Sequence, residues 1–145
     1  MCSILRPKEV LYHPPMPAPQ RFRHAAIVGK PQAQGTRELL EDVARFLTQQ
    51  GLEVCLERAT AQATGITQYD ALEAAQLGQR CDVTVVVGGD GTMLGIAREL
   101  AQFDMPLVGI NQGRLGFITD IPVDRFREAL TPMVRGEFEE EHRAM

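Results

Sequence analysis

The feature that most constrains this sequence is a run of apolar residues that leads directly into a glycine-rich turn. The stretch from Asp82 to Leu94 reads DVTVVVGGDGTML. Its first half is dominated by β-branched residues, as expected of a strand buried on both faces of a parallel sheet. After Thr92, apolar residues recur with helical spacing at Met93, Leu94, Ala97, Leu100 and Ala101. The stretch therefore predicts a strand, a turn of three glycines around Asp90, and then a helix.

Such a strand–turn–helix unit predicts an anion-binding site. The free backbone N–H groups of the turn and the positive end of the helix dipole point at one place. Asp90 is the unexpected member, because a carboxylate inside a phosphate cradle repels phosphate. Its position therefore requires either a metal ion or the proton of a hydroxyl group nearby.

Composition limits the class of protein. The 145 residues are 44% hydrophobic and 23% charged, which is typical of a soluble globular domain. The net charge is −4, and residues 1–30 carry five basic side chains against one acidic one, so the remainder is strongly acidic. An acidic chain without tryptophan argues against binding of nucleic acid.

The three cysteines are widely spaced and odd in number, which argues against a disulfide framework and favours buried thiols in a reducing compartment. No apolar run approaches the length of a membrane span or the core of a signal peptide. We therefore expect a cytoplasmic protein that does not associate with membranes.

Three regions are predicted along the chain. Residues 1–22 hold five of the nine prolines, which predicts a flexible or extended arm. Residues 23–137 form an α/β domain that carries the glycine-rich turn. Residues 138–145 have strand-like stretches without a predicted partner, and we expect them to begin a second domain.

The α/β domain alternates predicted strands and helices. A helix begins at Thr36, whose side chain can cap it, and ends near Gly51. The other predicted elements are strands at 25–29, 52–57 and 106–110, a loop at 59–66, a weak helix at 67–77 that ends at Gly78, and a helix from Pro122 that Pro132 kinks or ends. This alternation predicts a parallel sheet flanked by helices. Segments 88–92 and 109–116 then follow strands at one edge of the sheet and face one pocket.

Two familiar nucleotide motifs are absent. The turn after the first strand lacks the glycines of a dinucleotide-binding fingerprint, and no glycine–lysine–Ser/Thr of a Walker A loop follows Gly91. A hairpin turn is the structural alternative for Asp90–Gly91. The helical spacing beyond Thr92 argues against it.

Two motifs resemble a known family. Gly88-Gly89-Asp90-Gly91-Thr92 resembles the signature of a kinase superfamily that includes NAD kinases, lipid kinases of the diacylglycerol and sphingosine type, and, with Ser for Thr, 6-phosphofructokinases. Segment 108–120, VGINQGRLGFITD, is similar to the bacterial NAD kinase pattern. The resemblance runs from about residue 24 to the C-terminus and covers that family's N-terminal domain. It implies a Rossmann-like, phosphofructokinase-like parallel sheet, here without the family's C-terminal β-rich domain.

The resemblance implies an activity and a site. ATP would phosphorylate the 2′-hydroxyl of the adenosine ribose of NAD, with Asp90 as the catalytic aspartate and Mg²⁺ or another divalent cation offsetting the phosphate charge. The whole protein would be a homo-oligomer. The residues implied in binding NAD or ATP are Gly88, Gly89, Asp90, Gly91, Thr92, Leu94, Asn111 and Phe117, and no residue is implied as a metal ligand.

Several of these residues have alternative roles. Thr92 either caps the helix or touches a phosphate. Leu94 and Phe117 either line the NAD pocket near the adenine or belong to the core. Asn111 either shapes its loop or bonds to ligand, and Arg114 either meets a phosphate or is solvated.

The sequence departs from the family in one respect. The family's second motif is an Asn followed by Asp or Glu, whereas Asn111 is the only asparagine here and Gln112 follows it. We therefore expect the chain to be a fragment with little turnover by itself. A lipid kinase that shares the Gly-Gly-Asp-Gly turn and a non-catalytic nucleotide-binding module remain the alternatives.

Overall fold

The chain has a mixed α/β architecture. A computed structural model describes residues 2–7, 22–30 and 35–143. The strands are β1 (Cys2–Arg6), β2 (His24–Gly29), β3 (Glu53–Glu57), β4 (Asp70–Leu72), β5 (Val83–Gly88), β6 (Pro106–Asn111), β7 (Ile121–Pro122) and β8 (Glu139–Arg143). The helices are α1 (Thr36–Gln49), α2 (Arg58–Thr64), α3 (Ala74–Arg80), α4 (Asp90–Leu100) and α5 (Phe126–Met133).

Within the described residues, these strands form one sheet in the order β4-β3-β2-β5-β6-β1-β8, with β7 paired to β6. Every pairing is parallel except that of β1 with β8. This confirms the predicted parallel sheet flanked by helices. None of the helices in the described ranges is long and apolar enough to cross a membrane.

Strand β5 lies at the centre of the sheet and is buried along its whole length. Val85 and Val87 pack into a cluster with α1 and α5, whereas Val86 packs into a second cluster with α3 and α4. Because successive side chains of a strand point to opposite faces, both faces of β5 need apolar residues. The continuous β-branched run of the sequence satisfies that need.

Helix α1 confirms the predicted element but not its predicted cap. The N-cap residue is Gly35 in a left-handed conformation, and no side chain in the described part of the chain caps the helix. The Thr36 hydroxyl instead accepts a hydrogen bond of 2.9 Å from Nε2 of Gln112, because the loop after β6 passes over the start of α1. The helix ends near Gly51, whose φ of 94° suits a glycine after a helix.

Strand β1 corrects the predicted N-terminal arm. Residues 2–6 are extended and lie between β6 and β8, with Ile4 opposite Leu107 and Glu141. The prolines begin only at Pro7, so this short strand precedes the segment whose composition suggested an arm. The arm prediction is wrong for residues 2–6, and residues 8–21 lie outside the described part of the chain.

The segment between β3 and β5 also differs from prediction. The predicted loop at 59–66 is helix α2, and the predicted helix at 67–77 is strand β4 followed by α3. Helix α2 is short but rich in alanine, the best helix former, and it packs against β3. Gly78 lies inside α3 rather than at its end, and the ring of Phe103 occupies the space that a side chain there would need.

The C-terminal helix begins later than predicted. Pro122 belongs to β7, a 3₁₀ turn follows at Val123–Arg125, and α5 ends one residue after Pro132. Strand β8 pairs with β1, a partner that precedes it in the chain and that the sequence pattern did not predict. Its assignment to a second domain stays a prediction.

Candidate functional site

The candidate site lies where β5 and β6 end side by side. Gly88 pairs with Asn111 in the sheet register, and the Gln112 amide donates a 3.0 Å hydrogen bond to the Gly88 carbonyl. The two glycine-rich segments of the sequence therefore lie together beyond the carboxyl edge of the sheet. Ligands of open α/β sheets bind at this edge.

Asp90 is the first residue of α4 and is held by the loop that follows β6. Its Oδ2 accepts a hydrogen bond of 2.8 Å from the Phe117 amide. Its Oδ1 accepts three, from the Ile118 amide at 3.3 Å and from the amide and hydroxyl of Thr119 at 3.1 and 2.8 Å. Three consecutive backbone amides thus form a concave anion site, and the Asp90 carboxylate occupies it.

These contacts set the charge of Asp90. Burial raises the pKa of the carboxyl group, but the hydrogen bonds from Thr119, Phe117 and Ile118 favour the charged form and outweigh it. The pKa of Asp90 is therefore lowered from its ordinary value of 3.8. At neutral pH the site carries a fixed, oriented carboxylate.

Asn111 stabilises this arrangement through the hydroxyl group of Thr119. Its Nδ2 donates a 2.7 Å hydrogen bond to the hydroxyl of Thr119, which in turn donates to Asp90. Asn111 is only 3% exposed, and its Oδ1 has no hydrogen-bond partner in the described part of the chain. Asn111 thus shapes the loop through its hydrogen bond to Thr119, and its Oδ1 atom remains as an acceptor without a partner among the described residues.

Thr119 is a site residue that sequence reasoning missed. It is fully buried and joins Asn111 to Asp90 through one hydroxyl group. Its position inside the segment 108–120 was the available signal, yet nothing in the spacing marks its contact with a residue 29 positions earlier.

Close packing explains two glycines of the second segment. A Cβ on Gly116 would collide with the Asp90 carboxylate, and a Cβ on Gly109 would lie 2.7 Å from Cγ2 of Thr119. Real Cβ atoms do not approach that closely, so both positions require glycine for the loop to reach Asp90.

The first glycine-rich segment is less crowded. Among the described residues, a Cβ on Gly89 or Gly91 would meet no atom within 4 Å, whereas one on Gly88 would lie 3.2 Å from the Thr92 hydroxyl oxygen. Thr92 is buried and makes no capping hydrogen bond to α4, which begins at Asp90, so its capping role is wrong. The open space lies beside Gly89 and Gly91.

Leu94 and Phe117 are exposed, so their alternative assignment to the core is wrong. The exposed fractions are 39% for Leu94 and 88% for Phe117, and the neighbouring Leu115 is 59% exposed. Leu94 follows Asp90 by one turn of α4, and the Phe117 amide bonds to Asp90. Residues with exposed apolar side chains therefore lie on the helix that Asp90 begins and in the loop that binds its carboxylate. Arg114 is also exposed.

Fold and site together define an α/β domain with a loop at the carboxyl edge of a parallel sheet, and the backbone amides of this loop bind an anionic group. The family profile of the ATP-NAD kinase N-terminal domain matches residues 25–138. The chain therefore belongs to the ATP-NAD kinase N-terminal domain family.

Individual relatives agree with this assignment. An NAD kinase of Methylibium petroleiphilum is 64% identical over 125 residues, which cover 86% of this chain and 42% of that protein. The structure of yeast NADH kinase complexed with NADH superposes with a TM-score of 0.63 at 18% identity, covering 81% of this chain and 39% of the other. An NAD kinase from Archaeoglobus fulgidus in complex with ATP gives a TM-score of 0.55 at 28% identity, covering 77% and 36%. The chain thus spans well under half the length of these relatives.

Proposed function

We propose that the whole protein, at the length of its relatives, is an NAD kinase that transfers a phosphoryl group from ATP to the 2′-hydroxyl of the adenosine ribose of NAD, giving NADP. The observation that carries the proposal is the oriented Asp90 carboxylate at the start of α4, beside open glycines. Family membership and a 64% identical relative named NAD kinase support the substrate class.

The two oxygens of Asp90 differ in what they offer a hydroxyl group. Oδ1 accepts three hydrogen bonds, whereas Oδ2 accepts one, from the Phe117 amide. Oδ2 therefore keeps the capacity to accept a hydrogen bond from the ribose hydroxyl and to align it with the γ-phosphorus. Since the pKa of Asp90 is lowered, the carboxylate is a weak base. Phosphoryl transfer has a loose transition state, so orientation matters more than basicity, and the proton is taken late.

The phosphates and the adenine have separate places in this proposal. The space beside Gly89 and Gly91 lies at the N-terminus of α4, where free amides and the helix dipole favour an anion. Leu94 and Phe117 offer exposed apolar surface for the adenine. Thr92 and the free Oδ1 of Asn111 are proposed as polar contacts to ligand.

A divalent cation fits this proposal only as a companion of the ATP phosphates. Within the described residues, no group of three or more His, Cys, Asp or Glu side chains is placed to hold a metal ion. Both Asp90 oxygens are engaged by protein donors. The proposal therefore names no residue of this chain as a metal ligand. It also assigns no chemical step to the cation.

The remaining functional assignments follow the family. We propose a homo-oligomeric, cytoplasmic protein that binds neither nucleic acid nor membranes. We also propose that residues 1–145 alone turn over little, because the second family motif is lacking. The second candidate is a nucleotide-binding module without activity.

Two experiments test the proposal. Calorimetric titration of the 145-residue chain with NAD, ATP and a diacylglycerol separates an NAD kinase domain from a lipid kinase. Phosphorylation of NAD by the whole protein, compared with Asp90→Asn, should fall by about a hundredfold or more. Near-normal activity of a folded Asp90→Asn variant would remove Asp90 from the mechanism. NAD binding by the chain without turnover in the whole protein would favour the non-catalytic module.

A further inference from the structure

Arg6, the last residue of β1, joins three parts of the fold through one guanidinium group. Its Nη1 lies 2.7 Å from Oδ2 of Asp120, and its Nη2 donates a 2.7 Å hydrogen bond to the Phe117 carbonyl. Its Nε lies 3.0 Å from Oε2 of Glu141 on β8, a purely electrostatic contact because the N–H does not point at that oxygen. The side chain is only 24% exposed.

The two loop contacts of Arg6 lie on either side of the Ile118 and Thr119 amides, two of the three that hold Asp90. The Phe117 carbonyl and the Ile118 amide belong to the same planar peptide group. Fixing that carbonyl therefore also fixes the direction of the Ile118 N–H, which donates to Oδ1 of Asp90. Asp120 follows Thr119 directly, so its ion pair with Arg6 holds the other end of the same segment.

We propose that Arg6 is a positioning residue for the candidate site: it fixes the Phe117–Ile118 peptide plane and Asp120, and so orients the amides that hold the Asp90 carboxylate. The inference rests on the proposed function in that Asp90 is the group being oriented. Residues 2–6 lie outside the segment 25–138 matched by the family profile, so the family motifs do not contain this contact.

The chemistry of arginine suits this role. A planar guanidinium can bond a carbonyl and a carboxylate at once, whereas a lysine ammonium is a single point charge. Isolated surface ion pairs contribute little to stability. Arg6 differs because its ion pair with Asp120 is partly buried and because its guanidinium meets one short segment at two points.

The test uses the folded 145-residue chain without nucleotide. Three variants are compared with the parent: Arg6→Met keeps the aliphatic stem, Asp120→Asn removes the loop charge, and Glu141→Gln is a matched control on the β8 side. NMR measures the hydrogen exchange of the Phe117, Ile118 and Thr119 amides and the pKa of Asp90. Thermal unfolding is recorded for each variant.

Arg6→Met should speed exchange of the three amides by about tenfold or more, the effect of losing a charge-assisted hydrogen bond. The pKa of Asp90 should rise in both Arg6→Met and Asp120→Asn. The change in charge alone would raise the pKa of Asp90 in Arg6→Met and lower it in Asp120→Asn. A raised pKa in Asp120→Asn would therefore show that the loop has been released from Arg6. Glu141→Gln should change neither readout.

Two results would overturn the inference. One is a lower melting temperature in Arg6→Met with unchanged amide exchange and Asp90 pKa, which would make Arg6 only a structural link of β1. The other is an equal effect in Glu141→Gln. If Arg6→Met does not fold, Asp120→Asn decides by itself. Because these readouts need no substrate, they stand apart from the NAD phosphorylation assay that tests the proposed function.

Discussion

The carboxylate of Asp90 fills the space that a side chain on Gly116 would need. The loop after β6 reaches Asp90 only because residue 116 has no side chain. The amides of the next three residues then donate hydrogen bonds to the two carboxylate oxygens of Asp90. The glycine of the second motif and the aspartate of the first are therefore two halves of one contact.

Gly116→Ala should displace either the loop or the carboxylate. We expect the free energy of unfolding to fall by about 1–3 kcal/mol, the usual cost of overpacking, and the pKa of Asp90 to rise as hydrogen bonds are lost. NAD affinity should fall by about tenfold or more. Calorimetry and NMR titration measure these changes. Gly95→Ala on α4, where an added Cβ meets no atom of the described residues within 4 Å, is the matched control and should bind NAD normally.

The lowered pKa of Asp90 predicts how the free energy of unfolding changes in acid. The pKa is below 3.8 in the folded chain and near 3.8 in the unfolded one, so the ionised group stabilises the fold above that value. That contribution is lost as pH falls below 3.8 and through the folded pKa. The stability difference between the parent and Asp90→Asn should thus be constant from pH 7 to about pH 5 and shrink in stronger acid. Urea unfolding at several pH values measures it, and a difference that grows in acid would contradict the assigned hydrogen bonds.

The elements that the sequence predicts well are those specified by neighbouring residues. The β-branched run of β5 and the helical spacing of α1 and α4 follow from local pattern. The position of Asp90 at the start of a helix after a buried strand could therefore be predicted. Helix α2 and strand β4 could not, because they are short and their structure depends on packing against β3.

The partners of Asp90 could not be predicted from pattern alone. Thr119 is 29 residues away from Asp90, and Arg6 is 114 residues away from Asp120. Both contacts arise because parallel strands bring their carboxyl ends together. Strand β1 has an apolar core of Ile4 and Leu5, but its place between β6 and β8 depends on strands more than a hundred residues later.

Phe117 should contribute to binding and not to stability. Since it is 88% exposed, Phe117→Ser should change the free energy of unfolding by less than about 0.5 kcal/mol. If it stacks on the adenine, NAD affinity should fall by about tenfold, as is typical of base–aromatic stacking. Ile118→Ala is the matched core variant, because Ile118 is 4% exposed, and it should cost about 2–5 kcal/mol. Unchanged NAD affinity in Phe117→Ser would remove this ring from the proposed pocket.

The described cysteines should be unreactive in the native chain. Burial raises the pKa of Cys2, Cys55 and Cys81, in the last case to about 12 from 9.0. Because the thiolate is the nucleophile, Cys81 should react with iodoacetamide on the order of a thousandfold more slowly at pH 8 than in the unfolded chain. Mass spectrometry counts the labelled thiols, and the chain in guanidinium is the control that should label fully. Rapid native labelling of Cys81 would show that α3 opens locally.

Two helix glycines should respond in opposite directions to the same substitution. Gly95 is exposed on α4 with open space beside it, so Gly95→Ala should raise the free energy of unfolding by about 1 kcal/mol through helix propensity. Gly78 lies inside α3, where a Cβ would collide with the ring of Phe103. Gly78→Ala gains the same propensity but forces the ring away, so we expect a net loss of about 1–2 kcal/mol. The double variant Gly78→Ala with Phe103→Ala relieves the collision, and urea unfolding should show that Gly78→Ala is then stabilising. If Gly78→Ala were destabilising to the same extent without the ring, the packing of Phe103 on α3 would not be its cause.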